Sequence, residues 1–390
     1  MKWKFYSLAF VAGMSILTAC SSDDNNDNDG NGGNGNGNEI ENGTILKGTI
    51  TSDVTLAAGN TYKLSGEYIV EEGATLHIEE GVKIIAVYDD IADYILVKQG
   101  GKINAVGTPD KPIVMTSEKE EPGAWGGIHI CGRAHTNAEG GKGSSEIGGA
   151  VYGGNDDADN SGTLQYIRLE YTGFAFDEEH EANGISFYSV GNGTIVDHCQ
   201  AYKGSDDGFE FFGGSVNVSN LVAVSCSDDS FDWTEGWNGK AQFLVAYQSP
   251  KDELGYDCDC LMECDNNGSN NAATPVAHPV LKNLILVGNG GSKQGIRLRA
   301  GTEVEIDNAK VCGKGQPLTV ETALTENALK NGTSKLTNIT LTSELSSKEG
   351  IYTHADFIAV TSNKVDANLS YSSFEDIRKE CSWMNGSWVK

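Results

Sequence analysis

A chain of 390 residues, 38% of them hydrophobic, is long enough for one large domain or two ordinary ones with a sizeable core. Its formal net charge of −27 excludes partners that need positive potential, nucleic acid first among them, and favours cations and neutral polymers. Glycine is abundant at 49 residues and proline scarce at 7, a balance that suits tight turns between strands.

Lys2 and Lys4 precede an apolar run from Phe5 to Leu17, too short to span a bilayer and laid out as a secretory signal over residues 1–19. The run ends in "LTAC", which resembles the bacterial lipobox, so Cys20 is expected to carry a lipid and to become the mature N-terminus. The following "SSDD" resembles the acidic signal that sends lipoproteins of Bacteroidota to the outer face of the outer membrane. Residues 20–43 then read as a flexible tether, because Asn, Asp and Gly cannot bury apolar surface. A G-x-G-x-x-G match at Gly30, Gly32 and Gly35 falls inside it, with no strand before and no helix after, and is discarded as a nucleotide signal.

From Thr44 to Lys390 the helical period disappears and short β-branched and aromatic runs recur. Aligned on a small residue followed by apolar-x-apolar, they read "GIHI" at Gly127, "GISF" at Gly184, "GFEF" at Gly208, "SFDW" at Ser230, "GYDC" at Gly255, "GIRL" at Gly295 and "PLTV" at Pro317. A second strand precedes most copies, marked by Tyr166, His198, Asn220, Gln242, Asn283, Asn308 and Asn338. An earlier pair is "VEEGATLHI" from Val70 against "VKQGGKINA" from Val97. Repeats of this length, made of strands without helices or a Leu/Asn consensus, predict an all-β, single-stranded parallel β-helix over residues 44–390, with inserted loops and a C-terminal cap near Phe374 to Glu380. Equivalent residues of successive coils then stack about 4.8 Å apart, the strand spacing of a sheet. Two inward apolar columns follow: Ile128, Ile185, Phe209, Phe231, Tyr256, Ile296, Leu318, and Ile130, Phe187, Phe211, Trp233, Cys258, Leu298, Val320.

Strand alternation sends the residue between them outward, giving His129, Ser186, Glu210, Asp232, Asp257, Arg297 and Thr319. Three successive carboxylates there repel by roughly 3 to 4 kcal/mol per adjacent pair at an effective dielectric near 20, before relaxation and screening. Raised pKa values, solvation, Arg297 at the column's end or a bound cation can relieve this. Asp206 and Asp228 extend the acidic strip, so Asp206, Glu210, Asp228, Asp232 and Asp257 are candidate ligands of a hard cation such as Ca²⁺, against the plainer reading of a solvated acidic surface. In "DADNSG", Asp157, Asp159, Ser161 and Gly162 match an EF-hand loop, but its twelfth position is Arg168, which leaves an irregular metal loop at most. The Asn column and His198 read as turn residues. Eight cysteines follow Cys20; "CDCLMEC", with Cys258, Cys260 and Cys264, lacks a partner set at zinc spacing and reads as buried thiols or a disulfide. No G-x-S-x-G, H-E-x-x-H or Walker pattern occurs.

Four stretches carry a resemblance: "GTPDKPIVMTS" from Gly107, "AWGGIHICGRA" from Ala124, "YGGNDDADNSGTLQYIRLEYTG" from Tyr152 and "DDGFEFFGG" from Asp206. They resemble the right-handed β-helix lipoproteins common in Bacteroidota, which are similar in architecture to pectate lyases. The resemblance implies the fold and its handedness and says little about activity. The expectation is a surface lipoprotein that binds glycan or another extracellular ligand along the β-helix face, through His129, Ser186, Glu210, Asp232 and Asp257, with polar loops such as that of Glu178, Glu179 and His180 as walls. An outer-membrane importer is a fitting partner. The alternatives are a Ca²⁺-dependent polysaccharide lyase or hydrolase, in which Arg297 or Arg299 would be the base, and a purely structural or adhesive protein.

Overall fold

The computed structural model describes residues 38–89, 91–176 and 180–390. Signal, lipobox and most of the tether lie outside the described residues, as do Glu178 and Glu179. Every strand of a 25-stranded sheet pairs in parallel with its equivalent one coil away, for example Phe209–Phe212 with Ile185–Tyr188 on one side and Phe231–Thr234 on the other. The chain winds as a parallel β-helix with three faces, as the repeat length predicted.

The first two faces are made by single long strands, such as Ile195–Tyr202 and Asn217–Val224, each bent in its middle. The bend is one residue in the left-handed region: Tyr166, His198, Asn220, Phe243, Asn283, Asn308 and Asn338 have φ between 51° and 63°. Asn dominates this column because it tolerates that backbone, and Asn308 Nδ2 donates to Asn283 Oδ1 at 2.7 Å. The ladder pairs Ser219 with Gln242 and Leu221 with Leu244, so Phe243, not Gln242, belongs to the column.

The third face is built by the short strands, from Tyr94–Val97 through Ile128–Cys131 to Gln316–Val320. Its inward residues are the stacked columns, and Phe187 and Phe211 lie parallel at 5.0 Å between ring centres. One coil corrects the sequence reading: Asp232 pairs with Glu263 and Trp233 with Cys264, so the fifth copy is Leu261–Cys264. Tyr256 and Cys258 therefore leave the inward columns, and Met262 and Cys264 enter them. The "GYDC" match failed because Lys251–Leu254 forms a helical turn that Gly255 ends at φ 79°, a position open to glycine at little cost. That detour shifts the true repeat downstream.

Two segments cover outward faces. The insertion after Gly132 carries the antiparallel pair Gly143–Ser144 and Val151–Tyr152, and its Ile147 and Tyr152 pack on Cys131, Tyr188 and Phe212 of the third face. The C-terminal segment does not merely cap the end near Phe374–Glu380; it runs back along the second face, with Ile377, Cys381, Met384 and Trp388 on Val222, Val245 and Ile285. Its last residues reach early coils, where Ser387 N–H donates to Pro109 O at 2.8 Å and Lys390 N–H to Gln200 Oε1 at 2.8 Å. The eight described cysteines are all buried free thiols, in keeping with the buried-thiol reading of "CDCLMEC".

Candidate functional site

The corrected register aligns three acidic coils, "SDDGFEFF" from Ser205, "SDDSFDWT" from Ser227 and "CDCLMECD" from Cys258, ahead of a basic one, "KQGIRLR" from Lys293. Four columns result. Asp206, Asp228 and Asp259 end on Lys293; Asp207, Asp229 and Cys260 end on Gln294; Glu210, Asp232 and Glu263 end on Arg297; and Asp265 ends on Arg299. The last acidic coil is thus neutralised by the basic one. Lys293 contacts Asp259, Arg297 Nη1 lies 2.8 Å from Glu263 Oε1, and Arg299 lies 3.1 Å from Glu263 and 2.7 Å from Asp265.

The two earlier acidic coils have no such partner. Among the described residues no Lys or Arg pairs with Asp206, Asp207, Glu210, Asp228, Asp229 or Asp232 within 4.0 Å. Burial under the flanking loops raises the carboxyl pKa of each, and the neighbouring carboxylates raise it further. Asp206 is pushed up to about 7, chiefly by burial and then by Asp228, and Asp228 to about 6, by burial and then by Asp259. Glu210 and Asp232 are raised well above the usual carboxylate range, by burial first, then by Glu146 and Asp232 for the former and by Glu263 and Asp265 for the latter. Glu146, delivered by the roofing insertion and accepting from Tyr188 Oη at 3.2 Å, is raised by burial to about 7.

Within this patch one oxygen each from Asp207, Glu210 and Asp232 lies within 4.8 Å of the others. Asp207 Oδ1 accepts the Asp229 N–H at 2.8 Å, and Glu210 Oε2 accepts Asn183 Nδ2 at 2.5 Å, so both carboxylates are fixed in place. Asp232 Oδ1 is shielded from solvent and meets no hydrogen-bond donor among the described residues. An anionic oxygen buried without a donor is costly, and either a proton or a cation satisfies it. Hard carboxylate oxygens with one free acceptor among them fit Ca²⁺, which asks for six to eight oxygens and takes the remainder from water or ligand. Two other trios fit less well: Asp229, Asp259 and Cys260 has a thiol and a lysine in place, and Asp206, Asp207 and Asp228 is open to water at Asp228.

Several expected residues stand elsewhere. Asp257 is outside the ladder, exposed on the detour and ion-paired with Lys251 at 2.6 Å, which holds its carboxyl below the usual range. His129 and Ser186 keep their column but are fully buried, His129 beside the rings of Tyr94 and Tyr188 and Ser186 under Asn183, so neither offers a surface for a ligand. His129 Nε2 donates to Gly126 O at 2.7 Å, its ring lies 6.2 Å from that of Tyr188, and burial lowers its pKa to about 4. Asp157 and Asp159 tie their loop to the solenoid instead of converging: Asp157 Oδ1 receives the His135 N–H and ring at 3.1 and 2.6 Å, and Asp159 Oδ2 receives the Arg133 N–H at 2.9 Å. Arg297 and Arg299 are both ion-paired, and although burial opposes their charge, Glu321 and Glu263 for the one and Asp265 and Glu263 for the other hold them protonated. An arginine so held is a poor base. His198 stacks on Tyr166 at 4.5 Å and pairs with Asp197 at 2.8 Å, which makes it the turn residue expected.

Asp207, Asp229 and Glu263 were missed by sequence reasoning. The repeated "SDD" contains the first two, but strand parity singled out its first Asp; turn geometry places the second in the patch as well.

No curated protein matches the chain. Among solved structures, the Dettilon tailspike protein superposes with a TM-score of 0.29 at 8% identity, over 76% of this chain; the chain spans about half, 56%, of that protein. The family model described as the pectate-lyase-like β-helix domain matches residues 48–389, the whole described solenoid but for its first strands, and the chain belongs to that family.

Proposed function

We propose that this protein binds acidic polysaccharide on its third face through a Ca²⁺ ion held by Asp207, Glu210 and Asp232. The observation that carries the reading is the Asp232 carboxylate: Oδ1 is shielded and without a donor among the described residues, beside two fixed carboxylates, and Arg299 of the basic coil acts on it only at a distance, without an ion pair. A chain with a net charge of −27 repels a polyanion, and a bridging divalent cation reverses that locally. The ion would face the carboxylate of a uronate, with Glu146 and the roofing insertion as a wall. Binding is favoured over lyase chemistry because Arg297 and Arg299 are committed to carboxylates and kept charged.

The lipobox-like segment adds that the protein is anchored through Cys20 at the outer face of an outer membrane, with residues 20–43 as tether and an importer as the natural recipient of captured glycan. Cys20→Ala should then move the protein from the membrane to the soluble fraction, and protease added to intact cells should degrade the native form.

The functional test is titration of polygalacturonate and alginate by calorimetry. Binding in Ca²⁺, its loss in chelator and its loss in Asp232→Asn are expected. Ca²⁺-dependent release of unsaturated product, abolished by Arg297→Ala, would replace the binding reading with a lyase. Binding that persists in chelator would remove calcium from the account.

A further inference from the structure

The first face carries a cavity of about 590 Å³ whose lining shares no residue with the acidic columns that the same coils present on the third face. It crosses five neighbouring strands, from Gly162–Glu170 to Val280–Val287. One outward column along it reads Gln165, Asp197, Ser219, Gln242 and Lys282, each paired with the next. The adjoining column brings Ile195, Asn217 and Lys240 to its edge, and Ile195 is 51% exposed. The two covering segments pack on the second and third faces, whereas Ile195, Asn217, Lys240, Gln242 and Lys282 stay open to solvent.

The chemistry of this row differs from that of the third face. Its one carboxylate, Asp197, is already engaged: it accepts Ser219 Oγ at 2.7 Å and lies 2.8 Å from the His198 ring. None of the three carboxylate groupings able to hold a cation includes a residue of this face. What remains is a series of amides, a hydroxyl and ammonium groups, spaced one coil, about 4.8 Å, apart. Amides donate and accept at once, as sugar hydroxyls do, and the exposed Ile195 side chain offers an apolar patch for the C–H face of a ring. A second cavity of about 470 Å³, with Thr55, His77, Asn104 and Val106 in its lining, continues the same face toward earlier coils, where Val106 pairs with Gln165.

We infer that this face is a second, cation-independent binding groove for a neutral polysaccharide, laid along the solenoid axis with successive sugars meeting successive coils. A polyanion is disfavoured here because the chain as a whole repels it, the field of Lys282 is shared with Glu305 and Asp307, and among the described residues no cation grouping lies on this face to bridge it.

The test is affinity electrophoresis in chelator through gels containing a mixed-linkage β-glucan, a mannan, a xylan or dextran. At least one polymer should retard the wild-type protein and the Asp232→Asn variant equally, since the groove does not use the acidic patch. Gln165→Ala combined with Gln242→Ala should weaken that retardation by tenfold or more, and Ser219→Trp, which fills the groove, should abolish it while the melting temperature stays unchanged. Retardation by none of the four polymers, or retardation that Ser219→Trp leaves intact, overturns the inference. Retardation that chelator removes would assign the glycan to the third face, and overturns it also.

Discussion

The second and third faces of this solenoid are wound by the same coils, yet their outward columns met opposite fates. On the second face Val222, Val245 and Ile285 point outward, and the chain's own C-terminal segment buries them under Ile377, Met384 and Trp388. On the third face the same coils present Glu210, Asp232 and Glu263, whose carboxyl pKa values burial raises, while the apolar residues of the roofing insertion pack on the neighbouring Cys131, Tyr188 and Phe212. The inward columns make the fold on both sides, so the outward columns decide which rows the chain's own covering segments bury. Apolar outward rows gain roughly 25 cal/mol per Å² of apolar surface when covered. Acidic rows gain nothing from such a cover and need a proton, an arginine or a metal.

The contrast can be broken most forcefully on the covered side. Trp388 is fully buried against the second face, and Trp388→Ala should cost about 3 to 5 kcal/mol, seen as a lower denaturation midpoint at unchanged slope. A midpoint that does not move would mean that the C-terminal segment is not what closes that face. Phe211→Ala, which leaves a hole between Phe187 and Trp237 in the shared core, should cost a similar amount and would test the inward register.

A smaller effect is expected where the third face neutralises itself. Arg299→Ala removes the charged hydrogen bond to Asp265 and leaves a buried carboxylate without it, at a cost of about 1 to 3 kcal/mol.

The uncompensated coils predict an unusual pH dependence. The pKa values of Asp206 and Asp228 are raised to about 7 and about 6, and those of Asp207, Glu210, Asp229 and Asp232 are raised as well. Between the ordinary carboxylate value near 4 and about 7, the folded protein holds protons that the unfolded chain has released. Stability in chelator should therefore be higher at pH 5.5 than at pH 8, and fall as pH rises through that window. His129, lowered to about 4, works in the opposite sense but with a single proton. Thermal melts across this range that rise toward pH 8 would show that the patch is solvated.

How much of this was legible in the sequence follows from the residues themselves. The solenoid, the inward aromatic columns and the acidic outward column could be read because a period-two strand repeated every coil leaves columns in the text. The column of bends was legible as Asn, and slipped by one residue at Phe243 because nothing but stacking register distinguishes it from Gln242. The larger slip, "GYDC" for "LMEC", arose where a helical turn ended by Gly255 imitates the repeat's own signature. Burial of His129 and Ser186 was not legible, since the groups packed on them, Tyr94 and Tyr188 from neighbouring strands and Asn183 from the loop ahead of Ser186, are brought there by stacking and loop path that no local pattern announces. The end of the acidic columns on Lys293, Arg297 and Arg299 becomes visible only once the correct copy is aligned.

That alignment also supplies the smallest expected effect. Asp257 is exposed and its ion pair is with Lys251, so Asp257→Asn should change stability by no more than about 0.5 kcal/mol and leave any calcium response intact. A calcium response lost in Asp257→Asn would restore the uncorrected register.

The central claim, that Asp207, Glu210 and Asp232 form a cation site and not a solvated acidic strip, is tested most directly by one set of thermal melts at pH 8. Wild-type protein and Asp232→Asn are each melted in chelator and in excess Ca²⁺. The account predicts that Ca²⁺ raises the wild-type midpoint, as any ligand bound by the folded state alone must do, that Asp232→Asn melts above the wild type in chelator because a repelling charge is gone, and that Ca²⁺ then adds little to the variant. A wild-type midpoint indifferent to Ca²⁺, with Asp232→Asn equal to or below it in chelator, would contradict the account.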